Sequence, residues 1–252
     1  MTSTMRRLTS VLVLMIAWEG AVQAEVVSKF LLAAPSTIFT EMYRLLLTGQ
    51  LTDHIQASMT RMLTGFALGL VTGVLLGGLM GWFRLFDDFL DPLIELIRPV
   101  SPLAILPLAI LWLGIDQASK IFVIWYGCFF PILLNTYAGV RGVPRSSVDA
   151  ARTLGAAPDE MLRWVVFYHS LPLIMTGARI SFGVGMIVII ASEMVAADRG
   201  LGFMILTAQQ TFQTAQLYVG IVAIAAIGFG GDRLLRWIRT KICPWYTETE
   251  QG

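Results

Sequence analysis

The groups able to do chemistry are few, and many of them crowd into one stretch. Ser146 to Pro172, SSVDAARTLGAAPDEMLRWVVFYHSLP, holds Asp149, Arg152, Asp159, Glu160, Arg163 and His169 in a chain that is 56% hydrophobic and 14% charged. Covalent or acid–base catalysis needs a nucleophile, a base and an orienting partner brought together. No spacing here announces such a set. The two histidines, His54 and His169, and the two cysteines, Cys128 and Cys243, are each isolated in sequence and follow no metal-ligand or disulfide pattern. The three lysines, Lys29, Lys120 and Lys241, follow no glycine-rich loop, so the phosphate-cradling G-x-x-x-x-G-K-[ST] pattern is missing. H-E-x-x-H and the nucleophile elbow are missing as well. The sequence offers no catalytic, cofactor or metal site.

The polar stretch makes better sense as a shape. Ser146-x-x-Asp149 fits a capping box, which predicts a helix starting there. Ala150, Ala151 and Leu154 are good helix formers, and Gly155 suits the position just past a helix end. Pro158 suits the first turn of a second helix, where Asp159 and Glu160 favour the positive end of the dipole. The pattern predicts two short helices outside the membrane, joined by a glycine-centred turn. Their small residues would let another protein approach the backbone closely.

The elements around this stretch are membrane elements. The 252 residues have a mean hydropathy of +0.71, and several runs approach the length that crosses a bilayer. Periodicity and breakers predict six spans at about 8–32, 56–80, 92–114, 120–140, 173–197 and 216–238, in one transmembrane domain covering 1–252. The first is open to two readings. Arg6 and Arg7 ahead of an apolar run, with AVQA ending at Ala24, fit a cleaved signal peptide. They also fit a retained first helix, which is favoured. With the N-terminus inside, twelve basic residues fall on the inner side, in clusters such as Arg141–Arg163 and Arg233–Lys241. Four fall outside: Lys29, Arg44, Lys120 and Arg199. The positive-inside rule then puts both termini and the 141–172 loop in the cytoplasm. A net charge of +1 points to no nucleic-acid partner.

Three features lie within the spans. Gly65, Gly69, Gly73, Gly77 and Gly81 recur every four residues and form a ridge without side chains. Such ridges let helices approach closely in lipid, either within one chain or between subunits. Pro92, Pro99, Pro102 and Pro107 predict a kinked or interrupted third span, with Glu95 and Arg98 able to pair on one face. Broken backbone at membrane depth is tolerated where it is buried in protein or lines a cavity, so Pro99, Ser101 and Pro102 are candidates for a translocation route. Glu193 is a further candidate, because ionisable groups in membrane segments are rarely idle. At 1.5 Å per residue it sits roughly 30 Å beyond Pro172, toward the outer surface.

The stretch DAARTLGAAPDEMLRWVVFYHSLP resembles the EAA loop of permease subunits of binding-protein-dependent ABC importers. Asp149, Ala150, Ala151 and Gly155 match its first half, and Val165 stands at its isoleucine. The chain departs at Phe167-Tyr168, where that family has Leu-Pro, although Leu171-Pro172 matches a second such pair. LDPLIELIRPVSPLAILPLAILWLGI, GARISFGVGMIVIIASEMVAADRGLGFMI and RLLRWIRTKICPW are similar to the taurine, aliphatic sulfonate, nitrate and bicarbonate branch. The resemblance implies an all-α integral membrane protein of the type I importer fold, working as a homodimer in the bacterial inner membrane. It implies two cytoplasmic ATPase subunits below and a periplasmic substrate-binding protein above. Asp149, Ala150, Ala151, Leu154 and Gly155 would couple to the ATPase. A self-sufficient secondary transporter is the alternative; it would show matching broken helices in two halves. Only the third span here is rich in proline. An integral-membrane enzyme would need a catalytic constellation that is missing.

Overall fold

The computed structural model describes residues 3–24, 28 and 31–246, with side chains from Thr9 onward except Ser10 and Val11. The Arg6 and Arg7 side chains and Lys29 lie outside this description, and so does their expected placement. All regular structure among the described residues is helical. The helices are α1 (Ser3–Gln23), α2 (Pro35–Leu47), α3 (Gln50–Trp82), α4 (Arg84–Ile97), α5 (Pro102–Leu113), α6 (Gln117–Arg141), α7 (Arg145–Thr153), α8 (Pro158–Met161), α9 (Phe167–Ala196), α10 (Leu201–Gln210) and α11 (Thr214–Ile242). A π-helical turn, Leu162–Val166, joins α8 to α9 without a break.

Among the described residues four helical runs are long and apolar enough to cross a membrane: α3, α6, α8 through α9, and α11. The pair α4 and α5 makes a fifth, broken span, and Leu12–Gln23 of α1 is a shorter apolar helix. Many large apolar side chains are exposed, among them Leu14 and Ile16 on α1, Leu63, Val71 and Leu75 on α3, and Ile187 and Val195 on α9. Such a surface is stable only where the solvent is lipid or another chain.

The chain forms two compact units. One combines Met1–Met59 with Glu193–Ala226, the other Thr60–Ser192 with Ile227–Gly252. In the first unit, α1 covers the expected 8–32 span as far as Gln23, while residues 25–27, 29 and 30 of that span lie outside the described residues. Helix α2 begins at Pro35. The polar end of α1 is tied to the start of α2. Glu19 accepts hydrogen bonds from the Ser36 hydroxyl (2.7 Å), the Ser36 backbone N–H (3.1 Å) and the Gln23 amide (2.7 Å). Helix α2 has no side-chain cap of its own, so this carboxylate from another helix satisfies its first turn. Helix α10, which the span pattern did not anticipate, also belongs to this unit.

In the second unit, α3 and α6 are in close contact along their length. A Cβ at Gly65 would fall 2.7 Å from Ile124, at Gly69 2.9 Å from Cys128, and at Gly73 2.9 Å from Ile132. One at Gly77 would fall 2.5 Å from the Leu133 carbonyl oxygen, and one at Gly81 2.6 Å from Val140. All five ridge glycines therefore face α6 of the same chain. Met80, Phe129 and Leu133 are buried beside this contact, with Leu76, Trp125, Phe130 and Tyr137 packed around them.

The third span is two helices rather than one kinked one. Helices α4 and α5 meet at 96° across Arg98–Ser101. Pro99 lacks an N–H to continue the ladder, and Pro102 forces Ser101 into an extended conformation (φ −64°, ψ 134°). The Tyr126 hydroxyl donates to carbonyl oxygens at the break, those of Ile97 (2.9 Å), which also accepts the Val100 N–H (3.1 Å), and Val100 (3.3 Å). Pro92 and Pro107, by contrast, sit inside α4 and α5 without breaking them. The Glu95–Arg98 ion pair does not form; both residues are exposed. Among the described residues Arg141 pairs instead with Asp87, and Asp232 lies between Arg179 (2.5 Å) and Arg236 (2.7 Å).

Candidate functional site: the loop between α6 and α9

Helix α7 follows Val143-Pro144 and runs for nine residues. Pro144, not Ser146, is its N-cap, and no side chain caps it, so the expected capping box is not made. Proline overrides it because its fixed φ suits the entry to a helix while Ser146 is already inside the first turn. The Asp149 carboxylate lies 3.9 Å from Arg152, a solvent-exposed pair that adds little stability.

The end of α7 is strongly defined. Gly155 has φ +80°, a conformation that favours glycine. Its N–H donates to the Arg152 carbonyl (2.9 Å), and the Ala156 N–H donates to the Ala151 carbonyl (3.1 Å). These two bonds make a Schellman motif. Asp149, Ala150, Ala151, Leu154 and Gly155 thus fall together in one short helix and its cap. None of the α7 residues is buried, and Leu154 is 88% exposed.

The second short helix expected after Pro158 does not stand apart. The Ala157 N–H donates to the Glu160 carboxylate (3.0 Å), and the helix then continues for 39 residues, from Pro158 to Ala196. The π-turn lets it do so, since one wider turn absorbs an extra residue without ending the helix. The loop is therefore bonded directly to a membrane helix. What this arrangement can do is mechanical: it displays a rigid helix end and an apolar side chain, with no acid–base or nucleophilic pair beside them.

The other candidates are placed as follows. Pro99, Ser101 and Pro102 come together at the α4–α5 break. Glu193 belongs to the other unit, where it is fully buried. It accepts hydrogen bonds from the Ser58 hydroxyl (2.9 and 2.8 Å) and the Gly202 N–H (3.0 Å). The Ser58 oxygen in turn accepts the Leu201 N–H (2.8 Å), and His54 Nδ1 accepts the Gly200 N–H (3.1 Å). Three side chains thus satisfy the exposed donors at the start of α10. Gly200, at φ +132°, has no room for a Cβ against the Glu193 carboxylate. Sequence reading missed His54 and Ser58; their one-turn spacing on α3 was the available signal. It also missed Tyr126, for which no local signal exists. No group of residues suited to a metal ion occurs among the described residues.

Residues 65–242 match the family described as "Binding-protein-dependent transport system inner membrane component". The chain is 34% identical over 238 residues to the putative aliphatic sulfonates transport permease protein SsuC of Bacillus subtilis (strain 168), covering 94% of this chain and 86% of that protein. It is 35% identical over 243 residues to the taurine transport system permease protein TauC of Escherichia coli (strain K12), covering 94% and 88%. The bicarbonate transport system permease protein CmpB of Synechococcus elongatus is 36% identical over 187 residues, 74% of this chain and 67% of that protein. Among solved structures, an inward-facing conformation of the MetNI methionine ABC transporter superposes with a TM-score of 0.58 at 19% identity, covering 75% of this chain and 96% of that one. That likeness shows a shared fold. The chain belongs to the family of binding-protein-dependent transport system inner membrane components.

Proposed function

We propose that this chain is the membrane-spanning permease of an ATP-driven importer of a small anion. A sulfonate such as taurine is the preferred cargo class, because the relatives matching most of the chain are named for sulfonates and taurine. Nitrate and bicarbonate are the nearest alternatives. In this reading residues 1–252 form one permease domain that pairs with a second copy in the inner membrane, with both termini in the cytoplasm. A periplasmic binding protein delivers the cargo, and two cytoplasmic ATPase subunits supply the energy. The chain itself hydrolyses nothing. Pro99, Ser101 and Pro102 remain route candidates; the commitment of Glu193 to the start of α10 argues for a positioning role there.

The observation that carries the reading is α7. A helix that buries none of its residues, ends in a fixed cap and presents Leu154 is a contact surface for another protein. It continues through Pro158 into α9, so a push on α7 has a covalent path into the membrane. The test is reconstitution with the ATPase subunit. Leu154→Asp should leave the chain folded in the membrane, because the side chain is already exposed, and should abolish ATPase attachment and uptake. Normal uptake by this variant, or uptake by the chain alone driven by an ion gradient, would overturn the proposal.

A further inference from the structure

Two sequence features have no role in the coupling reading: Phe167-Tyr168, which departs from the family pattern, and Pro244-Trp245 after the last helix. They meet in space. The Tyr168 ring stacks on Trp164, with centroids 5.9 Å apart and planes 11° apart, and meets Trp245 at 5.6 Å. Trp164 lies within the π-turn itself. The segment after α11 is folded in place: the Cys243 N–H donates to the Arg239 carbonyl (2.8 Å), the Tyr246 N–H to the Cys243 carbonyl (3.1 Å), and Cys243 is buried. An open groove of about 460 Å³ beside the stack is lined by Val143 and Ser147 at the start of the loop, by Trp164, Tyr168 and His169 at its end, and by Trp245. The C-terminal segment therefore sits beside both ends of the coupling loop.

A π-turn is a wider, less regular turn than its neighbours, and such turns concentrate at functional sites. Here it is the joint through which a displacement of α7 must pass to reach α9. A joint that yields would absorb that displacement. We propose that Trp245 is a positioning residue for coupling: through Tyr168 and Trp164 it braces the π-turn, so that movement at α7 is delivered to α9. The inference rests on the coupling role of α7 proposed above.

The test uses the complete transporter in proteoliposomes, with taurine as cargo and the binding protein and ATPase that support uptake by the unaltered chain. Trp245→Ala should lower taurine taken up per ATP hydrolysed by about fivefold, while thermal stability and the ATPase rate change little. Trp245→Phe should restore most of the ratio, since an aromatic ring is what the brace requires. Tyr168→Ala should have the same effect as Trp245→Ala, and the double variant should be no worse than either single one. If Trp245→Ala fails to fold, Trp245→Leu and Tyr168→Leu carry the same comparison. A normal uptake-to-ATP ratio in Trp245→Ala, or additive losses in the double variant, overturns the brace alone. Uptake by the unaltered chain with no ATPase overturns the coupling reading and the brace with it.

Discussion

Glu193 has no exposed surface, and a buried carboxylate costs several kcal/mol unless its charge is met by donors. Its donors include the Ser58 hydroxyl and the Gly202 N–H at the positive end of α10. Removing the carboxylate leaves buried groups unsatisfied, so Glu193→Ala should destabilise the fold by about 2–3 kcal/mol. Glu193→Gln keeps an acceptor at the same place and should cost less than half as much. Thermal unfolding in detergent checks both; equal losses would mean that hydrogen bonding is not what the residue supplies. Phe212 is a different kind of residue-scale feature. It occupies the C′ position after α10 with φ +56°, while its neighbour Gln213 donates to the Ala208 carbonyl (2.8 Å) as in a glycine-ended cap. Left-handed backbone costs a bulky residue about 1–2 kcal/mol. Phe212 is 68% exposed.

At the scale of elements, the α3–α6 pairing depends on close backbone approach. A methyl group at Gly77 would meet the Leu133 carbonyl oxygen at 2.5 Å, and backbone cannot swing aside as a side chain can. One residue on, a methyl group at Gly78 would meet nothing within 4 Å. Gly77→Ala should separate the helices and lower the yield of folded protein. Gly78→Ala should be neutral or slightly stabilising, since alanine is favoured over glycine in a helix by about 1 kcal/mol. Size-exclusion profiles and thermal unfolding of the two variants make the comparison, and similar behaviour would show that the pairing is loose. The spacing of glycines was legible because a four-residue repeat marks one face of a helix whatever it touches. The break between α4 and α5 was only half legible. Proline chemistry marks the region, but not which of Pro92, Pro99, Pro102 and Pro107 interrupts the helix, nor that Tyr126 of α6 donates to the carbonyls at the break. The second helix of the loop was misjudged for a related reason: Pro158 marks a helix start, and nothing local announces the π-turn that carries it on into α9.

For the whole molecule, the proposed orientation puts α7 in the cytoplasm. The native cysteines, Cys128 and Cys243, are both buried and should not react in the folded protein. Leu154→Cys would then be the reactive thiol. A membrane-impermeant maleimide should label it in inverted vesicles and leave it unlabelled in right-side-out ones; the reverse pattern would invert the topology. The sequence by itself determined the class of the protein, because apolar length and glycine spacing are local quantities that lipid reads directly. It also determined where the loop lies and where α7 ends, because Gly155 is required by one turn of backbone. Tertiary structure alone decided the fate of Glu193, the approach of Tyr126 to the carbonyls at the α4–α5 break and the meeting of Tyr168 with Trp245. Each joins residues 20 or more positions apart or on different helices, and which pairs meet is set by packing rather than by any pattern along the chain.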